Sequence, residues 1–124
     1  MSTLLIVDDE KNLLKLYQRE FLEDGYEVLT ASSGTEALEK LRHQAVDLVI
    51  LDIRMPGLDG LETLKEVMAI ASNPPIILNS AYRCYKDDFL SWAAKAYVVK
   101  SSDISELKAK TREVLDAAAA AEGH

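Results

Sequence analysis

Five polar residues follow short apolar runs, and together they have the chemistry of a site for a phosphoryl group. They are Asp8, Asp9, Asp52, Ser80 and Lys100. Three carboxylates held together repel one another unless a cation or a raised pKa relieves the repulsion. Because the five include no Cys or His, magnesium with its preference for oxygen ligands fits better than zinc. A magnesium ion, an ammonium group and a hydroxyl around one carboxylate suit the addition of a phosphoryl group, with Asp52 as the nucleophile.

Each of these residues taken alone also has an ordinary structural interpretation. A single Asp after a strand is most often a helix N-cap or a turn residue. A single Ser or Lys at a strand end is equally common. The prediction therefore rests on the combination of complementary groups at the same end of four different strands, which chance rarely provides.

The polar residues converge only if the strands before them are parallel neighbours. Five apolar runs rich in β-branched residues read as strands, and they span residues 3–7, 26–30, 47–51, 75–79 and 96–99. Helix-sized segments separate them. Strands that are apolar on both faces and joined by helices predict an α/β fold, a three-layer α/β/α sandwich around a parallel sheet. Ligands bind such folds outside the carboxyl ends of the strands.

Five segments have the pattern of helices. The first carries Tyr17 and Phe21 on its apolar stripe and ends at Gly25, and the second opens at Ser33 with Glu36 completing a capping box. The third spans about 61–71 and stops before a pair of prolines. The fourth, over residues 84–94, has few good helix formers at its entry and lacks a clear cap. The last follows residue 103, and its inner face carries Ile104, Leu107, Thr111, Val114 and Leu115.

Composition limits the classes of function. The chain has 124 residues, of which 48% are apolar and 28% charged, and this is the composition of one globular domain. We expect that domain to span residues 1–121, with 122–124 as a cloning remnant. A net charge of −7 disfavours direct binding of nucleic acid or anionic lipid. No apolar run approaches the roughly 18 residues of a membrane span. With Cys84 as the only cysteine, the expected location is the reducing cytoplasm.

Four segments resemble the receiver domain of two-component response regulators. They are the acidic pair in Ile6 to Glu10, the stretch from Leu51 to Gly60, Asn79 to Ala81, and Tyr97 to Lys100. The segments occur in the family's order and at close to its spacing, and the match covers nearly the whole chain. The resemblance implies the flavodoxin-like, CheY-like fold, with strand order 2-1-3-4-5.

The resemblance also implies a role for each residue of the site. Asp52 would accept a phosphoryl group from a sensor histidine kinase or a histidine phosphotransfer protein. Asp8 and Asp9 would hold Mg²⁺, with Asp9, Asp52 and the backbone carbonyl of Arg54 as direct ligands. Lys100 would pair with the phosphoryl group. Such a domain is a signalling module whose chemistry is limited to its own phosphorylation and dephosphorylation, so we do not predict an enzyme.

Two further residues would form the switch that the resemblance implies. Ser80 would contact the phosphoryl group, and Tyr97 would turn inward when the domain is phosphorylated. Their movement would reshape the face formed by the fourth helix, the fifth strand and the fifth helix. That face would bind a downstream output domain or protein, or a second copy in a homodimer.

Two of the chain's departures from the family pattern involve Lys100 and the stretch before it. Ser101 replaces the proline that usually follows the lysine, so the turn either carries strain or follows a trans path. The stretch between Ser80 and Lys100 is also about two residues shorter than is usual in the family, which predicts a short, irregular or mobile fourth helix.

Other classes of function fit the sequence less well. The main alternative is a receiver-like interaction or dimerisation domain that works without phosphorylation, which loss of an acidic residue or of the Lys would have favoured. A hydrolase with an aspartyl-phosphate intermediate needs a second carboxylate where Arg54 stands. Direct DNA binding has the wrong charge and no recognition module after the last helix.

Overall fold

The computed structural model describes residues 2–52, 60–69, 74–80, 95–101 and 103–122. Its strands are β1 (Thr3–Val7), β2 (Glu27–Ala31), β3 (Leu48–Leu51), β4 (Ile76–Ser80) and β5 (Ala96–Val99). Its helices are α1 (Lys11–Glu23), α2 (Gly34–His43), α3 (Gly60–Ala69) and a C-terminal helix (Ser105–Glu122). The predicted helix over residues 84–94 and the carbonyl of Arg54 lie outside the described residues.

All five strands are parallel neighbours in one sheet, in the order β2-β1-β3-β4-β5. This confirms the predicted topology. The strand bounds differ from the predicted ones by one residue in β2, β3 and β4. In β4 the pairing with β5 continues to Ser80, whereas the sequence predicts that Ser80 follows the strand.

The sheet is covered on both faces, as its apolar strands require. One core cluster joins α2 and α3 to residues such as Leu5, Val49 and Leu78. The other joins α1 and the C-terminal helix to Ile6 and Ile50. Alternate residues of each strand enter opposite clusters, because successive side chains of a strand point to opposite faces. The three-layer α/β/α architecture is thereby confirmed.

Local sequence fixes the ends of the first two helices. After α1, Gly25 has a φ of 94° and its N–H donates to the carbonyl of Leu22 at 3.0 Å, while Tyr26 N–H donates to Phe21 at 3.2 Å. These two bonds form a Schellman motif, which favours glycine at the left-handed position. At α2, the Ser33 hydroxyl accepts from the Glu36 N–H at 3.2 Å, as predicted.

The capping box at α2 differs from the predicted form in one bond. The Glu36 carboxylate accepts from the backbone N–H of Ser32 at 2.6 Å, one residue before the N-cap. The bond still satisfies a backbone donor at the helix entrance.

The C-terminal helix lies against α1 and β5, with Leu107, Thr111 and Val114 buried and Ile104 and Leu115 packed at the edge of the core. It continues to Glu122, one residue past the predicted domain boundary. Within the described ranges, no helix combines the length and apolar character needed to cross a bilayer.

Candidate functional site

The carboxyl ends of the strands form one rim, and the sheet's hydrogen bonds extend one residue into it. The N–H of Asp8 donates to Ala31 at 3.1 Å, and that of Asp52 donates to Val7 at 3.0 Å. At the other side of the rim, the N–H of Lys100 donates to Ser80 at 2.7 Å. The main chain therefore holds Asp8, Asp52 and Lys100 in fixed positions before any side-chain contact is considered.

Three of the four residues predicted to hold the metal come together at this rim. Asp8, Asp9 and Asp52 each offer a carboxylate oxygen, and these oxygens lie within 4.8 Å of one another. Asp8 and Asp52 are only 1% and 4% exposed, whereas Asp9 is exposed to solvent. An all-oxygen donor set with one side open to water fits Mg²⁺, which keeps several of its waters when bound.

Lys100 bridges the two buried carboxylates. Its Nζ lies 2.7 Å from Oδ2 of Asp8 and 3.0 Å from Oδ2 of Asp52. The other oxygen of Asp8 accepts from the backbone N–H of Glu10 at 2.9 Å. One ammonium among three carboxylates leaves an excess of negative charge, so the group retains an attraction for a divalent cation.

Burial and ion pairing shift the pKa values of Asp8 and Lys100. Burial raises the pKa of Asp8 above its ordinary value, although the hydrogen bonds from Lys100 and Glu10 oppose the shift. Burial would lower the pKa of Lys100, but the hydrogen bonds and charges of Asp8 and Asp52 outweigh it and raise that pKa. Lys100 is therefore a permanent cation at neutral pH.

The two predicted switch residues, Ser80 and Tyr97, lie on the face of the sheet that α2 and α3 cover. Ser80 ends β4 and is 0% exposed, and it follows the strand's alternation two residues after Leu78. Tyr97 of β5 pairs with Leu78 and is buried in the core cluster that includes α2 and α3. The structure thus places both residues beside the rim and on one face.

The turn after Lys100 follows a trans path. No cis peptide bond occurs among the described residues, which include both Lys100 and Ser101. Of the two alternatives that the missing proline left open, the structure has the trans path.

Sequence reasoning missed one polar pair next to the rim. The sequence pattern predicts only that Tyr17 lies on the apolar stripe of the first helix and that Asn79 ends the strand before Ser80. In the structure the Nδ2 of Asn79 donates to the Tyr17 hydroxyl at 3.2 Å, and both side chains are buried. The available signal was an amide in an otherwise apolar strand, because a buried amide needs a partner.

Comparison with known proteins identifies the family of this chain. Residues 4–112 match the family model of the response regulator receiver domain. The response regulator ArlR of Staphylococcus aureus is 36% identical over 116 residues, which cover 93% of this chain and 53% of that protein. The chain thus spans about half the length of the curated relatives it matches.

Solved structures of receiver domains have the same fold. The response regulator TrrA of Thermotoga maritima, in complex with Mg²⁺-BeF, has a TM-score of 0.85 and 47% identity over 92% of this chain and 99% of that one. TrrA in complex with the histidine kinase ThkA has a TM-score of 0.84 and 48% identity, over 93% of this chain and 99% of that one. The chemotaxis protein CheY4 of Vibrio cholerae has a TM-score of 0.85 and 28% identity, over 92% of this chain and 98% of its own. The chain described here belongs to the response regulator receiver domain family.

Proposed function

We propose that this receiver domain is a magnesium-dependent phosphoryl acceptor and that Asp52 is the residue phosphorylated. One observation carries the proposal. The carboxylates of Asp8, Asp9 and Asp52 lie within 4.8 Å of one another, and Lys100 Nζ lies 3.0 Å from Asp52. A nucleophilic carboxylate beside a cation site and an ammonium group is the arrangement that phosphoryl transfer to an aspartate requires.

Asp8, Asp9 and Asp52 would hold Mg²⁺, together with the backbone carbonyl of Arg54. A bound Mg²⁺ would supply charge neutralisation between the Asp52 carboxylate and the oxygens of the incoming phosphoryl group. The relative TrrA was solved with Mg²⁺-BeF, which supports the choice of metal. The exposed Asp9 marks the side from which the ion and the phosphoryl donor enter.

In the reaction, an oxygen of the Asp52 carboxylate bonds to phosphorus while the bond from phosphorus to the donor's histidine nitrogen breaks. The electron pair of that bond stays with the histidine, and Asp52 becomes an acyl phosphate. Lys100 is already within hydrogen-bond distance of Asp52, so it can pair with the new phosphoryl oxygens without a large movement. Ser80 would contact the same oxygens.

The phosphoryl donor would be a sensor histidine kinase or a histidine phosphotransfer protein. TrrA was solved in complex with the histidine kinase ThkA, and this chain is 48% identical to TrrA over 93% of its length. Ser80 and Tyr97 would carry the change to the face that includes β5 and the C-terminal helix. That face would then bind an output domain or protein, or a second copy of the chain.

The test is intact-mass spectrometry after incubation with acetyl phosphate and Mg²⁺. We expect the wild type to gain one phosphoryl group and Asp52→Asn to gain none. Asp116→Asn removes an exposed carboxylate from the C-terminal helix and serves as the matched control, because it should be phosphorylated like the wild type.

Two outcomes would contradict the proposal. Phosphorylation of Asp52→Asn would move the acceptor to another residue. Absence of an adduct in the wild type, together with absence of Mg²⁺ binding, would favour a receiver-like interaction domain that works without phosphorylation.

A further inference from the structure

A buried polar pair joins α1 to β4 at the rim of the sheet. Tyr17 is 2% exposed and belongs to the apolar core cluster beneath α1, and Asn79 is 3% exposed. Their hydrogen bond joins Asn79 Nδ2 to the Tyr17 hydroxyl at 3.2 Å. A buried polar pair adds little net stability compared with an apolar pair of the same shape, so packing alone does not explain it.

Strand register places Asn79 beside Asp52. Val7 pairs with Leu51, and Leu51 pairs with Leu78. One residue further along each strand, the same register gives the row Asp8, Asp52 and Asn79. Neighbouring strands lie about 4.8 Å apart, so that residues of one row on one face are in side-chain range of each other.

Alternation puts this row on the face that α1 covers. Ile6, Ile50 and Ile77 each stand two residues before a member of the row, and all three belong to the core cluster that contains Tyr17. Burial raises the pKa of the Tyr17 hydroxyl, which also responds to the charges of Lys100, Asp8 and Asp52. The Tyr17 hydroxyl is therefore within electrostatic reach of Lys100, Asp8 and Asp52.

We infer that Asn79, held by Tyr17, is a positioning residue for the carboxylate of Asp52. The inference rests on the proposed function of Asp52. The hydrogen bond from Nδ2 fixes the plane of the Asn79 amide, and this fixed amide limits the orientations open to the neighbouring carboxylate. Mutation of a group that holds a metal ligand or a reactive residue in position typically changes metal affinity or activity by about 10–100-fold.

A double variant separates positioning from stability. Tyr17→Phe with Asn79→Leu replaces both polar groups by apolar ones of similar shape, so no buried donor or acceptor is left unpaired. We expect this variant to unfold in urea near the wild-type midpoint. We expect its rate of phosphorylation by acetyl phosphate, at saturating Mg²⁺, to fall about tenfold.

Phe21→Leu is the matched control. Phe21 lies one turn further along α1, in the same core cluster and fully buried, but away from the rim. We expect it to lower the urea midpoint and leave the rate of phosphorylation unchanged. An equal loss of rate in Phe21→Leu would trace the effect to looser packing of α1 and overturn the inference.

The single variant Tyr17→Phe keeps the test decisive if the double variant does not fold. It removes only the partner of the Asn79 amide, and a reduced rate per folded molecule is expected. A folded single or double variant with the wild-type rate would overturn the inference. This failure is distinct from failure of the proposed function, in which the wild type itself takes up no phosphoryl group.

Discussion

Lys100 shows how one side chain can pair with two buried carboxylates at once. Its ammonium group contacts both buried carboxylates and balances part of their charge. Ionised carboxylates that are nearly buried are costly unless they are paired. The same contact leaves Lys100 beside Asp52, where a phosphoryl group would arrive. Its stabilising role and its proposed chemical role therefore depend on one position.

Replacing Lys100 by methionine should weaken both roles. We expect Lys100→Met to lower the free energy of unfolding by about 3 kcal/mol in EDTA, because the two buried carboxylates lose their cation. Phosphorylation of Asp52 should also slow. Urea unfolding and intact-mass kinetics measure the two effects. Lys95→Met, which removes an exposed lysine just before β5, is the control and should change neither. A loss below about 1 kcal/mol in Lys100→Met would show that the pair behaves like an exposed salt bridge.

At the scale of elements, short polar contacts determine where the helices begin. The Oδ1 of Asp103 accepts from the backbone N–H of Ser105 at 2.9 Å and from its hydroxyl at 2.6 Å. These bonds satisfy a donor at the first turn of the C-terminal helix, and the negative charge suits the positive end of the helix dipole. The start of this helix matters for the site because Lys100 precedes it by five residues.

The contribution of Asp103 should depend on pH. The hydrogen bonds from Ser105 lower the pKa of Asp103 below its ordinary value of 3.8. A carboxyl with a lower pKa in the folded state stabilises the fold at pH values above the unfolded pKa, and this stabilisation is lost as the pH falls through the folded pKa. We therefore expect Asp103→Ala to be less stable than the wild type at pH 6 to 7, roughly, and the difference to shrink below about pH 4.

Urea unfolding of both proteins across this pH range measures the difference. Asp116→Ala, which removes an exposed carboxylate from the same helix, should show no comparable pH dependence. A difference for Asp103→Ala that stays constant down to about pH 3 would mean that its ionised form contributes nothing.

At the scale of the whole molecule, the site joins strands that are distant in the chain. The acidic residues and Lys100 of the site follow β1, β3 and β5. Away from the site, Lys108 links the C-terminal helix to the end of α1 through Glu20 at 3.2 Å and Asp24 at 3.3 Å. A cation that needs the ends of both β1 and β3 in place binds the folded state and not the unfolded chain. Its binding energy therefore adds to the stability of the entire domain.

Magnesium should accordingly stabilise the domain as a whole. At a Mg²⁺ concentration one hundred times the dissociation constant, roughly, we expect the free energy of unfolding to rise by about 2.7 kcal/mol over its value in EDTA. Asp9→Asn should remove most of this gain and change the stability in EDTA little, because Asp9 is exposed. Urea unfolding with and without Mg²⁺ provides the measurement.

Glu23→Gln, which removes an exposed carboxylate at the end of α1, is the control and should keep the full gain. If Asp9→Asn also kept the full gain, the stabilising ion would bind elsewhere, for example through the net charge of −7.

The sequence by itself determined the elements and the composition of the rim. Apolar runs identified the five strands, Ser33 and Gly25 marked helix ends, and the order of polar residues placed Asp8, Asp52 and Lys100 at one edge. These features can be predicted from the sequence because they depend on local periodicity, on helix capping, and on the rule that parallel strands end on the same side of a sheet.

Only the tertiary structure decided which side chains are partners. The sharing of Lys100 between Asp8 and Asp52, the burial of Ser80 inside β4, and the bond between Tyr17 and Asn79 all depend on register between strands and helices far apart in sequence. Tyr17 and Asn79 are 62 positions apart, and the sequence pattern does not show that these residues of α1 and β4 lie opposite each other. The side-chain periods place each residue on a face, and only the packed sheet decides which residue stands opposite it.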